Sequence, residues 1–133
     1  MIDDPLISVI VTTYNRQSLL KETVDSILNQ TYKNFELIIV DNFSVYDFIS
    51  YIGSFKDNRI RSFQNENNGI IAVNRNFGIK KAEGEYIAFC DDDDYWDEYK
   101  LEEQVKCFKD DQLIGVGTAI NLINNNSKIL LKP

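Results

Sequence analysis

Leu6 to Val11 (LISVIV) is a continuous, largely β-branched run, the pattern of a strand buried on both faces in a parallel sheet. A polar cluster, Thr12-Thr13-Tyr14-Asn15, follows it. From Arg16 to Asn29 the apolar positions Leu19, Leu20, Val24, Ile27 and Leu28 recur at helical spacing, which predicts an amphipathic helix with Thr23 and Asp25 turned outward. Phe35 to Val40 (FELIIV) repeats the buried-strand pattern and ends at Asp41-Asn42, a pair that favours turns. A short helix is expected within Val45 to Phe55, then a strand with one polar face from Ile60 to Gln64. Asn65 to Gly69 reads as a loop, and Ile71 to Ala82 as a helix carrying Ile71, Val73, Phe77 and Ile79, with Gly84 placed to end it. Glu85 to Cys90 (EYIAFC) predicts a further strand, and Leu101, Val105 and Phe108 mark a further helix face. Leu113 to Ile120 reads as a last apolar strand, with a turn at Asn124 to Asn126 before Ile129 to Leu131.

Strands that alternate with helices imply parallel β-α-β units with right-handed crossovers. The expected fold class is therefore α/β, an open and mainly parallel sheet with helices on both faces. Ligands of such sheets bind beyond the carboxyl ends of the strands. That directs attention to Thr13-Tyr14-Asn15, Asp41-Asn42 and Asp91 to Asp94.

A length of 133 residues suits one domain, and no internal repeat or low-complexity linker divides it. With 14 basic against 21 acidic residues the net charge is −7, which argues against a surface built to wrap nucleic acid. The absence of His removes Ser-His-Asp triads, imidazole zinc sites and a histidine base, leaving carboxylates, a metal, Lys or Tyr to do chemistry. Cys90 and Cys107 lack metal-ligand spacing and read as small buried apolar residues, which fits a reducing compartment. The acidic start Met1-Ile2-Asp3-Asp4-Pro5 is unlike a signal peptide, and no apolar run approaches the ~18 residues that span a bilayer. The expectation is a cytoplasmic chain without a membrane span; peripheral attachment to the inner membrane face is the alternative.

Asp91-Asp92-Asp93-Asp94 follows a strand directly. Two carboxylates ~4 Å apart repel by roughly 4 kcal/mol at an effective dielectric near 20, so four in succession call for compensation. A divalent cation supplies it. If strand alternation continues, Asp91 and Asp93 share a side and form the better ligand pair, and an oxygen-only set suits Mg or Mn rather than zinc. The competing reading is helix capping, favoured for Asp97 and open for Asp94. Tyr14, after the first strand, can stack on a flat ring, with core packing as the alternative. Asp41 can accept a hydrogen bond from a base N–H or serve the turn alone. Arg75 can pair with a nucleotide or its phosphates, or form a surface ion pair with Glu83 or another acid.

Taken in order, Ser8-Val9-Ile10-Val11-Thr12-Thr13-Tyr14-Asn15-Arg16, Leu37-Ile38-Ile39-Val40-Asp41, Asn68-Gly69 with Asn74-Arg75-Asn76-Phe77-Gly78-Ile79, and Gly84 to Asp94 (GEYIAFCDDDD) closely resemble the family 2 glycosyltransferases. The resemblance covers about residues 6–120. It implies a GT-A fold and inverting transfer of a sugar from a nucleotide-sugar donor, commonly a UDP-sugar, to a glycan or lipid-linked acceptor in polysaccharide biosynthesis. By position, Tyr14 resembles the aromatic on the base, Asp41 the carboxylate at the base edge, and Arg75 the arginine at the nucleotide. Asp91 and Asp93 match the family's DxD motif, with Asp91 toward the ribose and Asp93 on the Mn or Mg that bridges the diphosphate. Thr12 or Thr13 lines the same pocket in this reading.

Two departures stand out. The family's Val-Asp-Asp-Gly-Ser stretch reads Val40-Asp41-Asn42-Phe43-Ser44, with Phe where Gly is usual, and Asn74 replaces a usual Ala. The family's catalytic base is a carboxylate well downstream, and no residue after Asp94 fills that role; Asp110 and Asp111 read as solvated. Residues 1–133 are thus expected to be the nucleotide-sugar-binding portion, with the acceptor-binding portion and the base beyond Pro133. The rivals are a non-catalytic nucleotide-sugar or protein-binding module and a nucleotidyltransferase. The last is disfavoured because Thr12 to Arg16 has no Gly-rich loop.

Overall fold

The computed structural model describes residues 4–109, 112–124, 126 and 129–131. Strands β1 (Ile7–Thr13), β2 (Phe35–Asp41), β3 (Ile60–Gln64) and β4 (Tyr86–Asp91) alternate with helices α1 (Gln17–Leu28), α2 (Phe48–Gly53) and α3 (Ile71–Lys81). Helix α4 (Lys100–Cys107) follows, then a small antiparallel pair, β5 (Leu122–Ile123) and β6 (Ile129–Leu131). The four long strands form one parallel sheet in the order β3-β2-β1-β4. The two central strands are the β-branched runs, buried at every position except Thr12. Such runs suit a sheet covered on both faces.

Alternation within each strand divides the core between those faces. Val9, Val11, Leu37 and Ile39 pack with Leu20, Val24 and Ile27 of α1, Phe48 and Ile52 of α2, and Leu101 of α4. Ile10, Ile38 and Val40 meet Phe63 and Phe77 on the other side. The α3 face differs from the expected one: Ile71, Val73 and Ile79 are exposed, whereas Asn74 and Gly78 are buried. Close approach decides this, because a Cβ at Gly78 would stand 2.6 Å from Cγ2 of Ile10.

Other expectations are corrected by packing. Leu19 is exposed, and Thr23 is buried rather than turned outward. The reason is that α1 receives the segment after β4: Thr23 Oγ1 donates to the Asp94 carbonyl at 2.8 Å, and Gln30 Nε2 donates to the Asp97 carbonyl at 2.6 Å. Gly84 does not end α3 in a left-handed turn; it passes against β1, where a Cβ would lie 2.6 Å from the Leu6 carbonyl oxygen. Leu113 to Ile120 forms no strand. Ile114 and Ile120 are exposed and have no sheet partner among the described residues, so β-propensity alone does not make them a strand. Cys90 is buried, but Cys107 is exposed at the end of α4.

A buried polar network closes the end of the sheet away from the strand C-termini. Glu36 Oε1 accepts from Ser8 Oγ at 2.6 Å and from the Glu83 amide at 2.7 Å, and Oε2 accepts from Arg61 Nη1 at 2.6 Å. Burial alone would raise the Glu36 carboxyl. The bonds from Ser8, the Glu83 amide and Arg61 outweigh it and leave the group below its ordinary 4.5. A depressed carboxyl stabilises the fold fully above the unfolded pKa and loses that contribution as pH falls through the folded one. Glu36→Gln is therefore expected to destabilise the chain by about 1–3 kcal/mol at pH 7. The deficit should shrink as pH drops below about 4.5, read from urea unfolding between pH 3 and 7.

Candidate active site

Parallel pairing puts the polar residues that end the strands along one edge. Thr13 is in register with Asp41 and Thr12 with Asp91, and Asp41 in turn with Gln64. Two adjoining cavities open there. One of about 390 Å³ is lined by Thr13, Tyr14, Arg16, Asn67 and the carboxylates Asp91 to Asp93, among others. The second, about 450 Å³, is lined by Tyr14, Asn42, Phe43, Glu66 and Asn68.

Tyr14 borders both cavities and is 52% exposed, which removes core packing as its role. Asp41 is fully buried beneath the edge. Its Oδ2 accepts from the Ser44 amide at 2.9 Å and from Gln64 Nε2 at 3.0 Å, and its Oδ1 accepts from Ser44 Oγ at 2.5 Å. Asp41 thus builds the turn after β2, and three of the four or so lone-pair positions of a carboxylate are taken. Arg75 pairs not with Glu83 but with Asp91, Nη2 to Oδ1 at 2.5 Å.

The acidic run does not continue the strand. β4 ends at Asp91, and the Asp94 amide donates to the Asp91 carbonyl at 3.2 Å to close a turn. Alternation fails as a guide for this reason, and Asp92 and Asp93 approach the same guanidinium. Asp92 is buried, accepting from Thr13 Oγ1 at 2.8 Å and from Arg16 Nη1 at 3.2 Å; Asp93 accepts from the same Nη1 at 2.9 Å. Burial, reinforced by the charges of Asp91, Asp93 and Asp92, holds the Asp94 carboxyl above the usual carboxylate range. Asp97 does not cap α4 as expected: Tyr99 holds the N-cap position without a side-chain cap bond, and Asp97 Oδ1 accepts from the Tyr99 amide at 3.0 Å in the turn just before the helix. Asp110 and Asp111 lie outside the described residues.

Thr13, Tyr14, Asp91 and Asp93 therefore share one cleft, with Asp41 below it and Arg75 joined to it through Asp91. Arg16 is a site residue that periodicity did not single out. Its place two residues past Tyr14 was a hint, but its partner Asp92 is 76 residues away. Among the described residues no three acidic or Cys side chains converge as a metal cage. The side chains of Asp91 and Asp93 are half exposed, at 56% and 46%. Two accessible carboxylates without a cage fit Mg or Mn, which keep several positions for water and substrate phosphate.

The glycosyl transferase family 2 model matches residues 8–131. An uncharacterised glycosyltransferase of Rickettsia felis is 42% identical over 132 residues, 98% of this chain and 22% of that protein. The UDP-Glc:alpha-D-GlcNAc-diphosphoundecaprenol beta-1,3-glucosyltransferase WfaP of Escherichia coli is 43% identical over 100 residues, 75% of this chain and 40% of that protein. The chain thus spans about a fifth of the rickettsial relative's length. S. aureus TarS 1–349 in complex with UDP superimposes with a TM-score of 0.70 at 27% identity, covering 92% of this chain and 43% of that one. The mannosyltransferase PcManGT of Pyrobaculum calidifontis, in complex with GDP-Man and Mn2+, gives 0.72 at 27% identity over 83% and 35%.

The split between Asp92 and Asp93 is testable without any ligand. Asp92→Ala strands Thr13 Oγ1 in a buried site and frees one contact of Arg16, so it is expected to lower stability by about 1–3 kcal/mol. Asp93→Ala removes only an exposed pair and should change stability by less than about 1 kcal/mol. Thermal melts of the two variants read the difference.

Proposed function

This chain belongs to glycosyl transferase family 2, and on that premise we propose that it is the donor-binding portion of an inverting glycosyltransferase that uses a UDP-sugar. The observation that carries the reading is the cleft itself. An exposed aromatic ring, Tyr14, and two accessible carboxylates, Asp91 and Asp93, line the same cavity. A nucleotide-sugar offers a flat base for the first and a diphosphate for the second. The UDP-bound neighbour and the UDP-Glc-using relative support this donor class.

In this assignment Tyr14 stacks on the base and Thr13 lines the pocket, while Asp41, buried beneath the edge, does not reach the base as the resemblance implied and instead fixes the turn that borders it. Arg75 and Asp91 meet the ribose side of the nucleotide. Asp93 would hold Mn or Mg, which would supply positive charge to offset that developing on the departing diphosphate. Arg16 pairs with the buried carboxylate of Asp92. The acceptor is a hydroxyl of a saccharide or lipid-linked glycan, in line with the diphosphoundecaprenol named for the E. coli relative. Its oxygen attacks the anomeric carbon as the bond to the diphosphate breaks, and its proton passes to a general base. We assign that base and the acceptor contacts to the further length that the relatives possess. No helix among the described residues is long and apolar enough to cross a membrane, so contact with a lipid-linked acceptor would be peripheral in this part of the protein.

Calorimetry with UDP should show binding that requires Mn or Mg, weakens at least tenfold in Asp93→Ala, and weakens roughly five- to hundredfold in Tyr14→Ala. The melting temperature of ligand-free Tyr14→Ala should stay near that of the parent, because the ring is half exposed. Binding that is equally tight in a chelator would remove the cation from the assignment. Product formation should be at least about 10²-fold slower for this chain than for a form extended by roughly 100 residues. Equal turnover would locate a base within the 133 residues, whereas no turnover in either form would favour a binding module.

A further inference from the structure

Phe43 combines two features that folding alone does not reward. Its backbone φ is +55°, in the left-handed region that a residue with a Cβ and a ring rarely adopts. Its side chain is also 57% exposed, so burial returns little for the strain. A glycine would make the same turn without either disadvantage. What Phe supplies at this position is the ring.

The surroundings hold that ring at the cleft. Asp41 bonds the amide and hydroxyl of Ser44, and Ser44 Oγ accepts from the Asn15 amide at 2.7 Å. Asn15 Oδ1 accepts from the Val45 amide at 2.8 Å, and Asn15 is itself left-handed at φ +54°. The loop that carries Tyr14 and the loop that carries Phe43 are therefore braced to each other at the ends of neighbouring strands. Both rings line the same cavity of about 450 Å³, with Asn42, Glu66 and Asn68 as its polar lining. Strain held at an exposed position by over-determined surroundings points to a ligand. Two aromatic surfaces with a few amide and carboxylate groups suit a flat heterocycle with polar edges.

We propose that Phe43 is a specificity-determining residue of the donor site, its ring forming with Tyr14 a two-sided aromatic wall for the nucleobase. This rests on the reading of the cleft as a nucleotide-sugar site. Phe43 then acts on the base alone and leaves the diphosphate to the carboxylate end of the cleft.

The test uses this chain with Mn and a panel of UDP, CDP, TDP, GDP and ADP in calorimetry, followed by variants against the tightest of the five. Phe43→Gly is expected to weaken that nucleotide roughly five- to hundredfold. Its melting temperature should hold or rise by about 2–5 °C as the strain is relieved. Binding of inorganic pyrophosphate with Mn should be unchanged. Phe43→Tyr should retain the parent affinity, and Phe43→Leu, which keeps bulk without an aromatic face, should fall between Tyr and Gly. Parent affinity in Phe43→Gly would overturn the assignment, as would a parallel loss of pyrophosphate binding and melting temperature. Failure of the parent chain to bind any of the five would instead remove the donor-site reading on which the assignment rests.

Discussion

Parallel pairing about β1 is the constraint on which the rest depends. β1 is hydrogen-bonded to β2 on one side and β4 on the other, so three strands separated in sequence deliver their carboxyl ends to one edge. The apolar registers Val9↔Leu37 and Val9↔Ala88 fix where each strand stops being core. A slip of one residue would turn every buried side chain to the other face and would separate Thr13 from Asp41. The core thus sets the geometry of the polar edge while taking no part in its chemistry.

That edge carries more negative charge than its own surroundings neutralise well. Arg16 meets Asp92 and Asp93, and Arg75 meets Asp91, but all of these side chains except that of Asp92 are 40–56% exposed, and such pairs are worth little in water. Among the described residues Asp94 has no such partner, and its raised carboxyl reflects burial together with the three neighbouring carboxylates. The residues of the run divide the work by burial: Asp92 faces inward and holds Thr13 in place, while Asp91 and Asp93 stay accessible.

A second feature secures the acidic run after the strand ends. The buried polar residues of α1 and of the turn just after it do this: Thr23 in the helix and Gln30 past its end bond the carbonyls of Asp94 and Asp97, and Ser26 Oγ accepts from the Trp96 amide at 3.1 Å. Leu101 then enters the core as α4 begins, its amide bonded to Gln30 Oε1 at 3.0 Å. Backbone groups of an irregular segment must be satisfied if it is to lie against a core, and here a helix 70 residues earlier does so. The turn that presents Asp93 is held by these bonds.

The four parallel strands, the α/β alternation and the residues at the strand ends were legible in the sequence because period-2 and apolar-run patterns are local properties, whereas the apolar run Leu113 to Ile120 forms no strand because no sheet edge receives it. So was the order of the motifs, which carried the family resemblance and pointed to Thr13, Tyr14, Asp41, Arg75, Asp91 and Asp93 together. Three kinds of fact were not legible. The buried polar stripe of α1 looks like an outward face until its partner segment is known, as Thr23 shows. The packed face of α3 follows the small residue Gly78, where Ile10 presses closest, rather than the larger Ile71, Val73 and Ile79. The division between Asp92 and Asp93 depends on a turn and on Arg16, 76 residues away from Asp92. Local hydrophobic pattern determines which segments become strands and helices, since each buries its own apolar side chains. Which polar groups end up buried, paired or exposed is decided only when distant segments meet, because desolvation and charge pairing belong to the contact rather than to either residue.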